Sequence, residues 1–318
     1  EFYTLCDREG MLVWAEIPLV GKALDTPEFT ENMKTELTEL IRQNFNHPSI
    51  FCWSLCNELS KGDVKGLISE LNSVSHREDP GRLTVLAANV EKRPENAVPD
   101  IMAFNTYPGW YWAEPSEMKS TLERWNRQCG NKGIAVSEYG AGANVWHHWQ
   151  TGKKTPKADG VFHPEEWQAT VHEQTYDAIK RSGFAWGSFV WNMFDFASAS
   201  RNEGDMPGMN DKGLVSYDRK IRKDAFYFYQ SEWSEEPVVH IASRRDVARR
   251  DSLTDVKVYT NCETVRLKVN GKDCGSPERN GSICIWRKVG LKHGENQVEA
   301  FGHRGGQEFS DRCKWVLF

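Results

Sequence analysis

Ser49-Ile50-Phe51-Cys52-Trp53-Ser54-Leu55, followed without a break by Cys56-Asn57-Glu58-Leu59, decides how this chain is read. A continuous apolar run of this length, entered through Asn46-His47-Pro48, suits a strand buried on both faces, as in a parallel sheet. An amide and a carboxylate directly after it then stand at the strand's C-terminal end. Before this stretch, Met11 to Ala15 reads as a strand and Thr30 to Asn44 as a helix, with Met33, Leu37, Leu40 and Ile41 at helical spacing. After it, Val64 to His76 predicts a helix ended by the Asp79-Pro80-Gly81 turn. Leu83 to Ala87 and Ile101 to Phe104 are strands separated by a polar, proline-containing loop, and Ser116 to Cys129 is a helix behind Pro115. Gly133 to Ser137 is a strand, Pro164 to Ser182 a helix and Gly183 to Val190 the last strand. Six strands alternating with helices is the pattern of βα units around a parallel sheet.

From about Glu235 the character changes to short runs of alternating polar and apolar residues. Val256 to Thr260, Val265 to Val269, Ser282 to Arg287 and Asn296 to Phe301 predict strands of a small sandwich, with Asn270-Gly271 and Asn280-Gly281 as hairpin turns. Asn280-Gly281-Ser282 also fits a glycosylation acceptor, but the turn accounts for it without a sugar. The expected domains are residues 1–233, α/β, and 234–318, all-β.

A length of 318 residues allows two such domains. Lys+Arg number 40 against 45 Asp+Glu, and a net charge of −5 offers nucleic acid no general attraction, so none is expected as a partner. The longest apolar run, Gly183 to Phe194, is shorter than the roughly 18–20 residues that span a bilayer, and no charged-then-apolar leader opens the chain. The expectation is a soluble protein or the mature part of a secreted one, without a membrane partner. The compartment stays open, with a periplasmic or secreted location favoured over a cytoplasmic one. The 8 cysteines form no CxxC pair, so neither a zinc module nor a disulfide scaffold is expected. The 13 Trp, 9 Tyr and 15 Phe suit either a large aromatic core or a site that buries the C–H faces of sugars.

Where βα units close into a barrel, reacting groups sit just past the C-terminal ends of strands. Four such positions are chemically loaded: Asn57-Glu58, Asn105-Thr106-Tyr107-Pro108-Gly109-Trp110-Tyr111, Ser137-Glu138-Tyr139-Gly140 and Trp191-Asn192-Met193-Phe194-Asp195-Phe196. Two glutamates on different strands are what glycoside hydrolysis needs, one to protonate the leaving oxygen and one to attack or to activate water. A charge directly after a buried strand needs a purpose or a partner, and pairing with an arginine is the structural alternative. Glu16, which ends Leu12-Val13-Trp14-Ala15, is either a further pocket carboxylate or half of a salt bridge. Gly140-Ala141-Gly142-Ala143 lacks the third glycine of a dinucleotide loop, and neither His147-His148 nor Cys52 with Cys56 has the second pair a metal site requires.

At these residues the sequence resembles glycoside hydrolase family 2, the β-galactosidase and β-glucuronidase family. Asn46-His47-Pro48-Ser49-Ile50, Asn57-Glu58, the Asn105-to-Tyr111 run, Ser137-Glu138-Tyr139-Gly140 and the Trp191-to-Phe196 run occur in family order over roughly residues 1–233. Pro237-Val238-Val239-His240 through Val269-Asn270-Gly271-Lys272 is similar to the immunoglobulin-like domain that follows the barrel in many members. The resemblance implies a (β/α)8 TIM barrel, lacking its first two strands, followed by an all-β immunoglobulin-like sandwich. It implies a retaining exo-β-glycosidase that needs no cofactor, with Glu58 as acid/base and Glu138 as nucleophile. In such an enzyme the two carboxyls lie about 5 to 5.5 Å apart. By the same resemblance Asn57 takes the sugar's 2-hydroxyl, Tyr107 hydrogen-bonds Glu138, and Trp191 forms the subsite floor. Asn192 and Asp195 are candidate hydroxyl ligands or packing residues at the barrel mouth.

Asn210-Asp211-Lys212-Gly213 resembles the Asn-x-Lys element with which β-glucuronidases grip the substrate carboxylate, through Asn210 and Lys212. The surrounding Asp195-Phe196 through Ser216-Tyr217-Asp218-Arg219 looks more like galactosidase-type members. The expectation is therefore a β-galactosidase acting on an oligosaccharide or glycoside, with a β-glucuronidase or an inactive carbohydrate-binding fragment as alternatives. The bland reading of Lys212 is a loop residue paired with Asp205 or Asp211. Because Met11 to Ala15 matches the family's third barrel strand, the missing strands and N-terminal sandwich domains are expected from the same parent chain or another chain. A homo-oligomer is also possible on this reading.

Overall fold

The structure is a computed structural model and describes residues 1–61, 64–89, 98–149 and 155–318. The elements run α1 (Phe2–Glu9), β1 (Val13–Glu16), β2 (Val20–Lys22), α2 (Pro27–Asn44), β3 (Ile50–Lys61), α3 (Val64–Glu78), β4 (Leu83–Ala88) and β5 (Met102–Asn105). They continue with α4 (Met118–Gln128), β6 (Ile134–Tyr139), α5 (Glu165–Lys180) and β7 (Ala185–Val190). All six expected strands are present. The short β2 is an addition, and it pairs with β3 beyond the end of β1, so β1 and β2 are one edge interrupted at Pro18. Part of the polar loop expected between β4 and β5 lies outside the described residues.

The sheet order is β1-β3-β4-β5-β6-β7, with β2 beside β3, and the strands from β1 to β6 pair in parallel. Neighbours in the sheet are neighbours in the chain. That singly wound order is the barrel pattern; a doubly wound fold would reverse direction at a switch point. Cys52, Val85, Ala103 and Ala135, one from each of β3 to β6, pack as one buried layer with Trp14 and Trp186 against them. Trp14 on β1 and Trp186 on β7 stack with centroids 6.4 Å apart, so side chains from opposite ends of the strand order meet across the interior.

Local chemistry sets the helix ends. The Thr26 hydroxyl accepts from Phe29 N at 3.2 Å, Pro27 fills the first turn, and Met33, Leu37 and Ile41 recur every fourth residue on the buried face. The helix therefore begins at its cap, ahead of Thr30 where the apolar spacing starts. The helix α6 (Asp224–Trp233) was not expected: Ala225-Phe226-Tyr227-Phe228-Tyr229 is aromatic on all sides, which hides the helical period. No helix among the described residues is long and apolar enough to cross a membrane.

Between β7 and α6 lies a two-stranded ribbon, β8 (Phe196–Ala197) with β9 (Met209–Asn210). The C-terminal part holds β10 (Val239–Ile241), β11 (Ala248–Arg249), β12 (Leu253–Thr260), β13 (Thr264–Val269), β14 (Lys272–Asp273), β15 (Glu278–Asn280), β16 (Ile283–Gly290), β17 (Gly294–Arg304) and β18 (Gln307–Leu317). They form a four-stranded sheet, β10-β12-β16-β15, and a five-stranded sheet, β11-β18-β17-β13-β14. Val256, Val258 and Trp286 from the first share a buried core with Leu267, Val298 and Trp315 from the second, which makes a sandwich. The four expected strands are present with five more. Asn270 and Gly271 both have positive φ, 53° and 78°, as a tight hairpin turn requires. The other turn sits one residue later than expected, at Gly281-Ser282, because Asn280 already pairs with Ile283.

By packing, the chain divides into two compact units. The first is Glu1–Thr106, Glu117–Tyr139 and Ala178–Phe189; the second is Tyr107–Ser116, Gly140–Asp177 and Val190–Phe318. The loops that follow β5 and β6, and everything after Phe189, thus group with the sandwich, a different division from one at residue 233. Of the expected site residues, Glu16, Asn57, Glu58 and Glu138 belong to the first unit, and Tyr107, Trp191, Asn192, Asp195, Asn210 and Lys212 to the second.

Candidate active site

In the first unit the site is built at the ends of β3, β5 and β6. The β3–β4 register shifts between Ser54 and Asn57, and Glu58 takes φ 53°. A left-handed backbone at a glutamate is costly and persists only where its surroundings hold it. The holding is visible in Asn105. Its Nδ2 donates to Asn57 Oδ1 at 2.9 Å and to Glu58 Oε1 at 2.8 Å, while its Oδ1 accepts from Ser137 Oγ at 2.7 Å. Asn105 is 5% exposed, and every polar atom of its side chain is used. Because the Glu58 carboxylate can only accept, the Asn105 NH2 must face it, and the Ser137 hydroxyl then donates to Asn105 Oδ1. Asn57 therefore presents its carbonyl to Asn105 and leaves its own NH2 for a ligand.

Glu138 lies one residue beyond Ser137, half-buried, with its carbonyl accepting from Thr106 N at 2.8 Å. Asn57 and Glu58 thus stand on β3 and Glu138 on β6, with β4 and β5 between them in the sheet order and Asn105 of β5 bonded to Asn57, Glu58 and Ser137. Glu16, at the end of β1, accepts from Ser54 Oγ at 2.6 Å and from Trp14 Nε1 at 3.2 Å; neither partner is the cation a salt bridge would need.

In the second unit, Tyr107 and Trp191 fall in one cluster with Trp110, Ala141 and Val171. Asn192 follows a cis peptide, and its backbone ladders to the next loop, with Asn192 N donating to Lys212 O at 3.2 Å and Leu214 N to Asn192 O at 2.9 Å. Gly213 has no room for a Cβ, which would sit 2.0 Å from Asp195 N, and this close approach locks the two loops together. The glycine of Gly140-Ala141-Gly142 has a similar purpose: a Cβ on Gly142 would meet Asp211 Oδ1 at 2.3 Å.

Lys223 ties these loops down. Its ammonium donates to Ala143 O at 2.7 Å, Asp195 Oδ1 at 2.8 Å and Asp211 O at 2.8 Å, three acceptors for three donors at a fully buried position. Asp195 Oδ1 is thereby engaged by Lys223 and by Gly213 N. Burial pushes its carboxyl above the ordinary range, and the Lys223 charge offsets this only in part. Burial is the largest influence on Asp211 and works to raise it, but the 2.6 Å hydrogen bond with His163 and the charges of His163, Lys223 and Lys212 together hold that carboxyl below its usual value.

With Asp211 taken by His163, the neighbouring Lys212 is left differently placed. It is 1% exposed, and among the described residues its Nζ has no hydrogen-bond partner. Its nearest carboxylate oxygen is Glu203 Oε1 at 3.9 Å, and the rings of Trp110 and Tyr111 lie 5.9 and 5.2 Å away. Neither Asp205 nor Asp211 is its ion-pair partner. Asn210, also buried, accepts from Lys212 N at 3.2 Å.

Three contributors carried no assignment from the sequence. Asn105 could have been found, since it stands directly after a strand like Glu58 and Glu138. Lys223 had no local signal, because its acceptors Ala143, Asp195 and Asp211 are remote in the chain, and Glu203, though paired with Arg201 two residues away, stands in a turn that the sequence marks only by its charge. No group of three or more His, Cys, Asp or Glu side chains among the described residues could hold a metal ion.

The comparisons agree with this layout. The family model for the TIM barrel domain of glycosyl hydrolases family 2 matches residues 1–235, and a domain family of unknown function matches 251–310. A β-glucuronidase of Bacteroides fragilis is 43% identical over 307 residues, covering 93% of this chain and 44% of that protein. Among solved structures, a "putative beta-galactosidase" from Bacteroides fragilis aligns with TM-score 0.93 and 34% identity, over 99% of this chain and 47% of its own. An FMN-binding β-glucuronidase from Facaelibacterium prausnitzii L2-6 aligns with TM-score 0.91 and 34% identity, over 100% and 48%. The chain spans less than half the length of these relatives. A family model that covers the whole βα region, joined to carboxylates at the ends of β3 and β6, leads to one assignment: this chain belongs to glycosyl hydrolases family 2.

Proposed function

We propose that the chain carries the catalytic residues of a retaining exo-β-glycosidase whose substrate is a terminal β-glucuronide. Residues 1–233 form its barrel part and 234–318 its appended sandwich. The observation that carries the substrate assignment is Lys212, a buried ammonium with no hydrogen-bond partner among the described residues, beside Asn210. A buried cation left in this state is expensive unless a ligand anion completes it, and a sugar carboxylate is such an anion. Relatives described as β-glucuronidases support the same choice and reverse the expected preference for galactosides.

In the proposed mechanism Glu138 attacks the anomeric carbon while Glu58 protonates the leaving oxygen, giving a covalent glycosyl-enzyme. Glu58 then takes a proton from water, which releases the sugar with retained configuration. Asn57 offers the NH2 that Asn105 leaves free to the 2-hydroxyl, and Asn105 also keeps Glu58 aimed. Tyr107 and Trp191 serve as the nucleophile's hydrogen-bond donor and the subsite floor, and Asn192 as a hydroxyl ligand.

Lys212→Met tests the substrate. Its kcat/KM for an aryl β-glucuronide is expected to fall on the order of 10- to 100-fold, the value of a charged hydrogen bond, with a far smaller change for the β-galactoside. The galactosidase reading, favoured by the name attached to one structural neighbour, requires wild-type preference for the galactoside and no selective loss. Asn105→Ala is expected to lower kcat/KM about tenfold and to shrink the discrimination against a 2-deoxy substrate, because Asn57 is then free to flip. A fall without loss of that discrimination would remove Asn57 orientation from the account.

A further inference from the structure

Lys212 is 3.9 Å from a carboxylate that could close on it, yet its ammonium has no hydrogen bond among the described residues. The reason lies in Arg201. Its Nη1 donates to Glu203 Oε1 at 2.5 Å, the same oxygen that faces Lys212, and its Nη2 reaches Tyr111 Oη at 3.4 Å. Glu203 is thus claimed at hydrogen-bond distance by a guanidinium and only at ion-pair distance by the ammonium. Glu203 and Arg201 both belong to the turn between β8 and β9, and Met206 N to Glu203 O at 3.1 Å and Gly208 N to Arg201 O at 2.8 Å fix their backbones.

We propose that Arg201 is a specificity-determining positioning residue that holds Glu203 away from Lys212 and so keeps Lys212 available for the substrate carboxylate. This inference rests on the glucuronide reading. Two cations and one carboxylate leave the cluster with one net positive charge, which an incoming sugar carboxylate neutralises. Removing Arg201 leaves Glu203 and Lys212 alone: the side chains then pair, the cluster becomes neutral, and a substrate carboxylate must break an internal ion pair to bind. Tyr111 takes part through its Oη, which steadies the guanidinium, and through its ring, which lies against Lys212 Nζ.

The test is kinetic, in the full-length chain, on aryl β-glucuronide and aryl β-galactoside. Arg201→Ala is expected to raise KM for the glucuronide about tenfold with kcat within about threefold, lowering the glucuronide-to-galactoside ratio of kcat/KM by a similar factor. Arg201→Ala combined with Glu203→Gln is expected to recover most of that ratio, since no carboxylate remains to capture Lys212. A residue that merely supports the turn would not be rescued by a second substitution beside it. Arg201→Gln provides the same comparison should the alanine variant fold poorly. A ratio unchanged in Arg201→Ala, or one not restored in the double variant while wild type prefers the glucuronide, overturns the role of Arg201 alone. A wild-type enzyme without that preference overturns both this role and the glucuronide reading.

Discussion

Glu138→Gln is expected to lower kcat for an aryl β-glucuronide by at least about 10³-fold whatever the leaving group, because the amide cannot form the glycosyl-enzyme. Glu58→Ala should behave differently. Loss of a general acid costs about 10²- to 10⁴-fold when the leaving oxygen needs its proton, and far less for a dinitrophenyl-type leaving group, which departs as a stable anion. Added azide should then accelerate the Glu58→Ala variant, since a small anion can react with the glycosyl-enzyme without a general base. Steady-state kinetics with two aryl glycosides of different leaving-group acidity, with and without azide, separates the roles. If Glu138→Gln keeps a tenth of wild-type activity, or Glu58→Ala shows no leaving-group dependence, the assignment is wrong. The geometry behind it is the strand-end placement of both residues and the Asn105 amide that grips Glu58 at 2.8 Å.

Lys223→Met is expected to destabilise the protein by about 3–5 kcal/mol, the cost of removing one member of a buried ion pair. The substitution leaves Asp195 Oδ1 with only the Gly213 N–H, removes the Lys223 donor from Ala143 O, and leaves Asp211 O with Ala143 N alone. Urea unfolding should show the midpoint shift at unchanged slope. Adding Asp195→Leu should recover part of the loss, because the uncompensated carboxylate is then gone. A cost under about 1 kcal/mol in Lys223→Met, or no recovery in the double variant, would mean that the ion pair does not hold these loops.

How far the sequence could be read follows from where its signals are local. Strands β3 to β6 were legible because consecutive residues in each are buried, so both faces are written in largely apolar residues, as in Cys52 to Cys56. Strand β18 was not, although it is among the longest: Asp311 stands on its inward-facing row and breaks the alternation. That carboxylate is tolerated because Ile241 N and Arg244 satisfy it at 2.8 and 3.0 Å, partners that sit far back in the chain. Helix α6 was hidden by a run of aromatics with no polar face.

The sequence alone determined the order of βα units, the two glutamates at strand ends and the Asn210-to-Gly213 element, because each depends on residues adjacent in the chain. Only the tertiary structure decided how those groups are held. Asn105 acquires a role because β3, β5 and β6 bring Asn57, Glu58 and Ser137 around it; Lys223 acquires its own because loops remote in sequence supply its acceptors, and Arg201 because its turn brings the Glu203 it binds within ion-pair distance of Lys212. Hydrogen bonds and ion pairs act over about 3 to 4 Å of space, and nothing in linear spacing records which distant carbonyl or carboxylate will arrive within that range.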